Sequence, residues 1–229
     1  RCATECEYDP ADYLPVSSKN MDLMFQELNG FISRVENKWL RKLLESFFQD
    51  DAAFVKKFKA SSAAKTVHHG FVGGLLEHTL SVTKLCDYFC NAYPILNRDL
   101  LITAAICHDI GKTQELSAFQ AHDFTADGQL LGHIIIGAQM IHDLIKEIPD
   151  FPLDLENQLV HCILAHHGEL EYGSPKKPAM VEAVALNLAD NTDARMETLT
   201  EIFAADKSKK EWLGFNRIFE SNLRKTGEW

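Results

Sequence analysis

The sequence lacks long hydrophobic runs, has few cysteines and carries no excess of basic residues. It contains no stretch of about 18 consecutive apolar residues, so no membrane-spanning helix and no membrane partner are expected. Its six cysteines are scattered over 229 residues, and several fall within apolar helical patterns. Such a distribution is typical of reduced core thiols, so we expect a cytoplasmic protein without a disulfide framework.

The balance of charge is acidic. The chain has 23 lysines and arginines against 33 aspartates and glutamates, which gives a formal net charge of −10. Proteins that grip nucleic acid through its phosphates usually present a basic face. If the substrate is a nucleic acid, a local basic patch or another part of the protein must therefore hold it.

The spacing of apolar residues is helical through most of the chain and predicts an all-α fold with one large domain. We divide the sequence into an irregular lead-in at 1–17, a helical cover at 18–60, a main helical domain at 61–205 and a tail at 206–229. The tail is expected to dock through its large apolar side chains, which are Trp212, Phe215, Ile218 and Phe219.

The strongest chemical signal lies at residues 105–115. The apolar run at 100–106 predicts a buried helix, and His108 and Asp109 stand side by side at its inner end, followed by Lys112. Burying an imidazole, a carboxylate and an ammonium together is costly unless something satisfies them. A metal ion would do so.

Several other histidines and one further aspartate stand in the predicted helices, most of them on an inner stripe or at a helix end. Taken singly, each has an ordinary explanation, because an inward histidine is usually a satisfied core residue and a helical aspartate usually faces solvent. Together they form an ordered set of seven: His78, His108, Asp109, His133, His166, His167 and Asp190. Seven such residues exceed the needs of one metal, whereas two divalent ions bridged by Asp109 would use them all. Nitrogen and carboxylate ligands suit Mn²⁺, Fe, Co or Zn²⁺ and, with more oxygen donors, Mg²⁺.

Two further predictions concern the segment at 113–127 and the last long helix. Residues 113–127 read as a polar loop, followed by a helix that begins at about Leu130. The last long helix, over about 179–204, should carry Asp190 and Asp193 on its more polar side. Its apolar side should hold Val181, Val184, Ala185, Leu188 and Ala189.

The order of the seven residues resembles the HD-domain superfamily of metal-dependent phosphohydrolases, an all-α helical bundle with a metal site among its core helices. Several strings, in loops as well as at the ligands, further resemble the YhaM-type 3′→5′ exoribonucleases. These strings are HHGFVGGLLEHT at 68–79, LNRDLL at 96–101, HDIGK at 108–112, GQLLGHI at 128–134, HHGELEYGSP at 166–175 and DNTDARM at 190–196. The likeness covers roughly residues 15–205.

The resemblance implies a hydrolase that releases nucleoside monophosphates from the 3′ end of single-stranded RNA or a short oligonucleotide, with Mn²⁺ as the favoured ion. The implied ligands of one ion are His78, His108, Asp109 and Asp190. The implied ligands of the other are Asp109, His133 and either His166, which we favour, or His167. Contacts to the substrate are implied for Lys112, Arg195 and one of His68 and His69. From the residues alone, the His68–His69 pair reads as a surface dipeptide.

Alternatives remain open at this point. YhaM-type proteins typically carry an oligonucleotide-binding β-barrel before the HD domain, and residues 1–17 could be a remnant of it; otherwise the substrate is smaller. Other HD proteins hydrolyse nucleotides or cyclic dinucleotides, which is the second hypothesis. A metal-stabilised nucleotide-binding module without turnover is the third, and the retained ligands and Lys112 argue against it. Self-association into a homo-oligomer is compatible with all three.

Overall fold

Local capping and apolar spacing account for where the helices begin and end. The computed structural model describes residues 17, 19–63, 70–117, 123–208 and 210–227. Its helices are α1 (Met21–Ser33), α2 (Lys38–Glu45), α3 (Ala52–Ala60), α4 (Gly74–Ala92), α5 (Arg98–Cys107), α6 (Lys112–Glu115), α7 (Ala126–Ile145), α8 (Leu153–Ala165) and α9 (Val181–Ala205). Shorter elements are a π-helical turn (Ser46–Asp50), a 3-10 turn (Leu170–Tyr172) and an antiparallel hairpin of β1 (Trp212–Asn216) and β2 (Ser221–Arg224). The prediction of an all-α fold is confirmed, since the hairpin is a small addition.

Polar side chains cap many of these helices. They accept hydrogen bonds from backbone N–H groups in the first turns of α1, α2, α3, α5 and α7, and belong to Asn20, Asn37, Asp51, Asn97 and Thr125. The N–H groups of a first helical turn have no carbonyl partner within the helix. A cap supplies that partner and fixes the residue at which the helix begins.

The central helix is α5. All of its positions from 100 to 107 are buried, and it packs against α2, α4, α8 and α9. A helix that is apolar all round is stable only inside such a ring of neighbours. The two residues that follow it, His108 and Asp109, are consequently carried into the interior and are 0% and 2% exposed.

Helices α1 to α3 cover one side of this arrangement. The rings of Phe47, Phe48, Phe54 and Phe58 form a cluster with neighbouring centroids 5.0 to 6.3 Å apart. This cluster joins the main core, because α1 and α3 pack on α4 while α2 packs on α5. Across the described ranges, no helix is both long and apolar enough to cross a membrane. The boundaries between the four predicted segments stay predictions.

The predicted polar loop at 113–127 is partly helical. Its beginning belongs to α6, and α7 starts at Ala126, before the predicted start at Leu130. Helix α7 is itself interrupted at Gly132, where φ is 72° and ψ is 158°. Only glycine adopts this conformation at little cost, because it has no Cβ atom. The interruption makes His133 the first residue of a new helical segment.

The predicted apolar side of α9 is wrong for its larger residues. Val181, Val184 and Leu188 are 40%, 45% and 53% exposed. The buried apolar positions are mostly alanines and comprise Ala183, Ala185, Leu186 and Ala189. Small side chains let the backbone of α9 approach α4, α5 and α8 closely, so the larger residues remain outside. The side that carries Asp190 and Asp193 therefore faces the interior.

Most of the tail does not dock as predicted. Trp212, Phe215 and Ile218 are exposed, and within the described ranges the two strands of the hairpin form a sheet only with each other. Their apolar side chains project from a two-stranded ribbon, which has too little surface to bury them. Phe219 is half-buried, and the guanidinium carbon of Arg195 lies 5.3 Å from its ring centroid.

Candidate metal centre

The site is built around the turn that follows α5. His108 Nδ1 donates a hydrogen bond to the carbonyl oxygen of Ala105, 2.8 Å away, which turns its Nε2 atom toward α4 and α9. Lys112, at the start of α6, places its Nζ atom 2.6 Å from Asp109 Oδ2. The chain thus brings an imidazole, a carboxylate and an ammonium together within one buried turn, as the sequence predicted.

A first group of possible ligand atoms lies between α4, α5 and α9. His78 Nε2 is 3.2 Å from His108 Nε2, 3.1 Å from Asp190 Oδ1 and 3.5 Å from Asp109 Oδ2. Ligand atoms about 2.1 Å from one ion lie about 3.0–3.4 Å from each other in octahedral or tetrahedral coordination. This spacing fits a divalent metal, and His78, His108 and Asp190 form a group that could hold one.

A second group lies between α7 and the end of α8. It comprises His133, His166 and His167, whose nitrogens lie within 4.8 Å of one another. Asp109 Oδ1 faces this group and lies 3.4 Å from His133 Nε2 and 3.7 Å from His166 Nε2. The two oxygens of Asp109 therefore point toward different groups, which is the arrangement expected of a bridging carboxylate.

Three buried atoms test whether a cation fits the second group. Asp109 Oδ1, His133 Nε2 and His166 Nε2 have no hydrogen-bond partner in the described part of the chain. Leaving one such atom unsatisfied costs about 1–3 kcal/mol. The three converge, and each has a lone pair that a metal ion accepts. A divalent cation would therefore satisfy all of them together.

Protonation also favours coordination. Burial by itself would raise the pKa of Asp109, but the positive charge of Lys112 and the neighbouring His108 outweigh burial and hold that pKa well below its usual range. Burial likewise opposes ionisation of Asp190, and its hydrogen bond with His78 overcomes the effect and lowers the pKa. Burial lowers the pKa of His166. At neutral pH both carboxylates are thus ionised and His166 is neutral, the forms in which these groups bind metals.

His78 differs from His166. Burial would lower its pKa, but hydrogen bonds with Asp190 and Asp193 outweigh burial and raise the pKa to about 9. The difference follows from position, since His78 faces two carboxylates whereas His166 has other histidines beside it.

Both members of the His166–His167 pair reach the second group. His166 is fully buried, and its Nδ1 atom donates to the carbonyl oxygen of Ile163 at 2.7 Å. His167 is partly buried and donates from Nδ1 to the carbonyl oxygen of Tyr172 at 2.8 Å. In each ring the Nε2 atom is left to face the other histidines, so the geometry gives either residue access to an ion.

One predicted substrate contact, Arg195, is not brought into the site. Arg195 is exposed on α9 and stacks on Phe219 instead of facing Asp109 or Lys112. It lies two residues after Asp193, and side chains at this spacing leave an α-helix on different faces. His68 and His69 lie outside the described residues.

Two carboxylates in the site were not predicted to belong to it. Asp193 Oδ2 lies 2.7 Å from His78 Nδ1, and Glu115 Oε1 lies 3.1 Å from His133 Nδ1. The spacing of Asp193, three residues after Asp190, could have placed it on the same helical face. Nothing in the sequence around Glu115 signalled its role, because that stretch read as a loop.

Comparison with known proteins identifies the fold. The family model described as the HD domain matches residues 75–195, just over half of the chain. The chain belongs to the HD domain family. The matched range contains all seven predicted ligands, and an HD domain is expected to bind a divalent metal, which agrees with the two groups of possible ligand atoms.

The chain is also similar to individual proteins of known name. The HD domain chain is 36% identical over 187 residues to the 3′-5′ exoribonuclease YhaM of Bacillus velezensis, covering 81% of this chain and 58% of the relative. It is 35% identical over 190 residues to the protein of that name in Bacillus subtilis, covering 82% of this chain and 59% of the relative. It is 34% identical over 191 residues to the protein of that name in a Geobacillus species, covering 82% of this chain and 57% of the relative. The predicted likeness to YhaM-type proteins is thus confirmed, and the chain spans less than two thirds of the length of these relatives. No solved structure matches it.

Proposed function

We propose that this HD domain is a metal-dependent phosphodiesterase that removes nucleoside monophosphates from the 3′ end of single-stranded RNA. The observation that carries the proposal is the placement of Asp109 between two groups of ligand atoms, with Lys112 beside it. The names of the similar proteins, which are 3′-5′ exoribonucleases, supply the reaction and the substrate.

Two divalent ions are proposed, with Mn²⁺ as the favoured metal. One would be held by His78, His108, Asp109 and Asp190, and the other by Asp109, His133, His166 and His167. The abundance of imidazole nitrogen favours Mn²⁺, Fe, Co or Zn²⁺ over Mg²⁺, which prefers oxygen. When bound, such ions lower the pKa of coordinated water and neutralise phosphate charge.

The residues of the chain itself orient the substrate. Lys112 is 15% exposed at its side chain, so its ammonium can leave Asp109 far enough to contact a phosphate oxygen. His108 and His166 are fully buried, whereas Asp190 and His167 are partly exposed. The scissile phosphate therefore approaches from the side of Asp190 and His167. A cytoplasmic location is also proposed, because Cys86, Cys90, Cys107 and Cys162 are free thiols and most of them are buried.

Degradation of a short single-stranded RNA labelled at its 5′ end tests the proposal. With Mn²⁺ we expect a ladder of products that shorten one nucleotide at a time from the 3′ end, together with nucleoside monophosphates. Excess EDTA should stop the reaction.

The net charge of −10 favours a second candidate, a hydrolase of small nucleotides. An intact RNA under conditions where a mononucleotide or cyclic dinucleotide is hydrolysed would support that candidate and contradict the first. Stable binding of an oligonucleotide without cleavage under any divalent metal would support a non-catalytic binding module.

Replacing Lys112 with glutamine should leave Mn²⁺ binding within about twofold and lower turnover by about 100-fold, because one preorganised positive charge is lost. Steady-state hydrolysis and a Mn²⁺ titration measure the two effects separately. Lys146→Gln is the matched control, since Lys146 also pairs with an aspartate three residues earlier but is exposed. Equal effects of the two substitutions on turnover would show that Lys112 has no catalytic role.

A further inference from the structure

The five histidines of the site are supported in two different ways. The Nδ1 atoms of His108, His166 and His167 donate to backbone carbonyl oxygens. Those of His78 and His133 instead lie within hydrogen-bonding distance of carboxylates. Each of the two groups of ligand atoms therefore contains one imidazole that is held by a carboxylate.

Asp193 supports His78 from α9. Its Oδ2 atom is 2.7 Å from His78 Nδ1, and its Oδ1 atom accepts a hydrogen bond from the hydroxyl of Ser81, one turn after His78 on α4. Asp193 is buried, so its charge is little screened by solvent. Both of its oxygens are thus committed to α4, and the ring of His78 is held with Nε2 toward Asp109 and Asp190.

Glu115 supports His133 through both its side chain and its backbone. Glu115 Oε1 accepts from the backbone N–H of His133 at 2.9 Å and from its Nδ1 atom at 3.1 Å. The interruption of α7 at Gly132 makes this possible, because a residue that starts a helical segment has an N–H group without a helical partner.

The close packing of α6 against α7 keeps Glu115 in place. An added Cβ atom at Gly128 would lie 2.3 Å from the carbonyl oxygen of Glu115, so the two backbones meet at this glycine. The carbonyl oxygen of Glu115 also accepts a hydrogen bond from the N–H of Thr125 at 2.9 Å. Glu115 is therefore fixed by its own backbone and not only by its contact with His133.

We propose that Asp193 and Glu115 are paired positioning residues, one for each metal ion, that fix the orientation of His78 and His133 and add the negative charge that strengthens metal binding. The inference rests on the two-ion site of the proposed function. A carboxylate behind a ligating histidine fixes its tautomer and raises its basicity, and losing it costs about 10–100-fold in metal affinity. Glu115 and Asp193 would thus each control the affinity of one ion position.

Calorimetric titration of the EDTA-treated chain with Mn²⁺ tests the inference. Glu115→Gln and Asp193→Asn keep the shape of each side chain but remove its charge. Each should weaken one of the two ion positions by about 10–100-fold and leave the other within about threefold. Glu182→Gln is the control, because Glu182 is a buried carboxylate that accepts a backbone hydrogen bond from Asn97 instead of facing the site.

Combined variants separate a positioning role from a general structural one. If Glu115 acts through His133, Glu115→Gln should add no further loss of affinity in a His133→Ala chain. Asp193→Asn should likewise add none in a His78→Ala chain. Equal losses with and without the histidine, or affinity unchanged by either substitution, would overturn the inference.

Misfolding of a variant and failure of the proposed function can both be distinguished from failure of this inference. Thermal unfolding of each variant shows whether it folds, and if Asp193→Asn does not, Ser81→Ala should give a smaller loss at the same ion position by loosening Asp193. The quantity measured is the affinity for Mn²⁺. If Glu115→Gln and Asp193→Asn weaken Mn²⁺ binding as expected while the unchanged chain leaves RNA intact, only the proposed function is contradicted. Failure of the unchanged chain to bind Mn²⁺ would overturn the inference itself.

Discussion

Replacing Asp109 with asparagine should lower phosphodiester hydrolysis by about 1,000-fold or more, because loss of an ion removes several kcal/mol of transition-state stabilisation. The carboxylate has Oδ2 3.5 Å from His78 Nε2 and Oδ1 3.4 Å from His133 Nε2, so it faces both groups of ligand atoms. An amide carries no charge to share between two ions, and it leaves the ammonium of Lys112 without its partner.

Elemental analysis and hydrolysis of labelled RNA measure this prediction on the same preparation. We expect the variant to retain less metal than the unchanged chain as well as to lose activity. Asp143→Asn is the matched control, because Asp143 is an exposed aspartate that also pairs with a lysine three residues later. Full activity with undiminished metal content in Asp109→Asn would refute the bridging role.

Replacing Gly111 with alanine should destabilise the fold by about 3 kcal/mol, because overpacking against backbone atoms leaves no flexible side chain to move aside. An added Cβ atom would lie 2.0 Å from the carbonyl oxygen of His133 and 2.7 Å from the backbone nitrogen of Gly137. Since φ at Gly111 is −61°, the backbone conformation itself suits alanine, and the effect comes only from the contact with α7.

Thermal unfolding followed by circular dichroism measures this effect. For a chain of this size a loss of 3 kcal/mol should lower Tm by about 6–12 °C. Gly30→Ala is the control, because nothing lies within 4 Å of the added atom in the exposed interior of α1. It should raise stability by about 0.5–1 kcal/mol through helix propensity. A Tm for Gly111→Ala equal to that of the unchanged chain would mean that α6 and α7 do not pack this closely.

Much of the fold could be predicted because the relevant signals are local. Apolar spacing of three and four residues defines the helices, and caps such as Asp51 and Asn97 mark their beginnings. Prediction failed where the neighbours of a helix decide which side is buried. The valines of α9 have the spacing of a core stripe but remain exposed, since the buried face, which carries Ala183, Ala185 and Ala189, permits closer packing.

Most of the seven predicted ligands could be proposed from the sequence because they stand at a helix end or on an inner stripe, whereas Asp190 was expected on the more polar side of α9. The structure brings the seven side chains together. Arg195 is the exception among the described site predictions, because it stacks on Phe219, which lies far from it in the sequence.

The sequence by itself determined most of the helices, the buried course of α5 and the position of His108 and Asp109 at its inner end, because these depend on periodicity, capping and the cost of burying polar groups. Only the tertiary structure decided that Asp193 lies behind His78 and that Glu115 lies behind His133. The first contact joins two residues that are 115 positions apart in the sequence, and the second joins two that are 18 positions apart. They depend on how α4 meets α9 and on the break in α7, and no local pattern in the sequence specifies either.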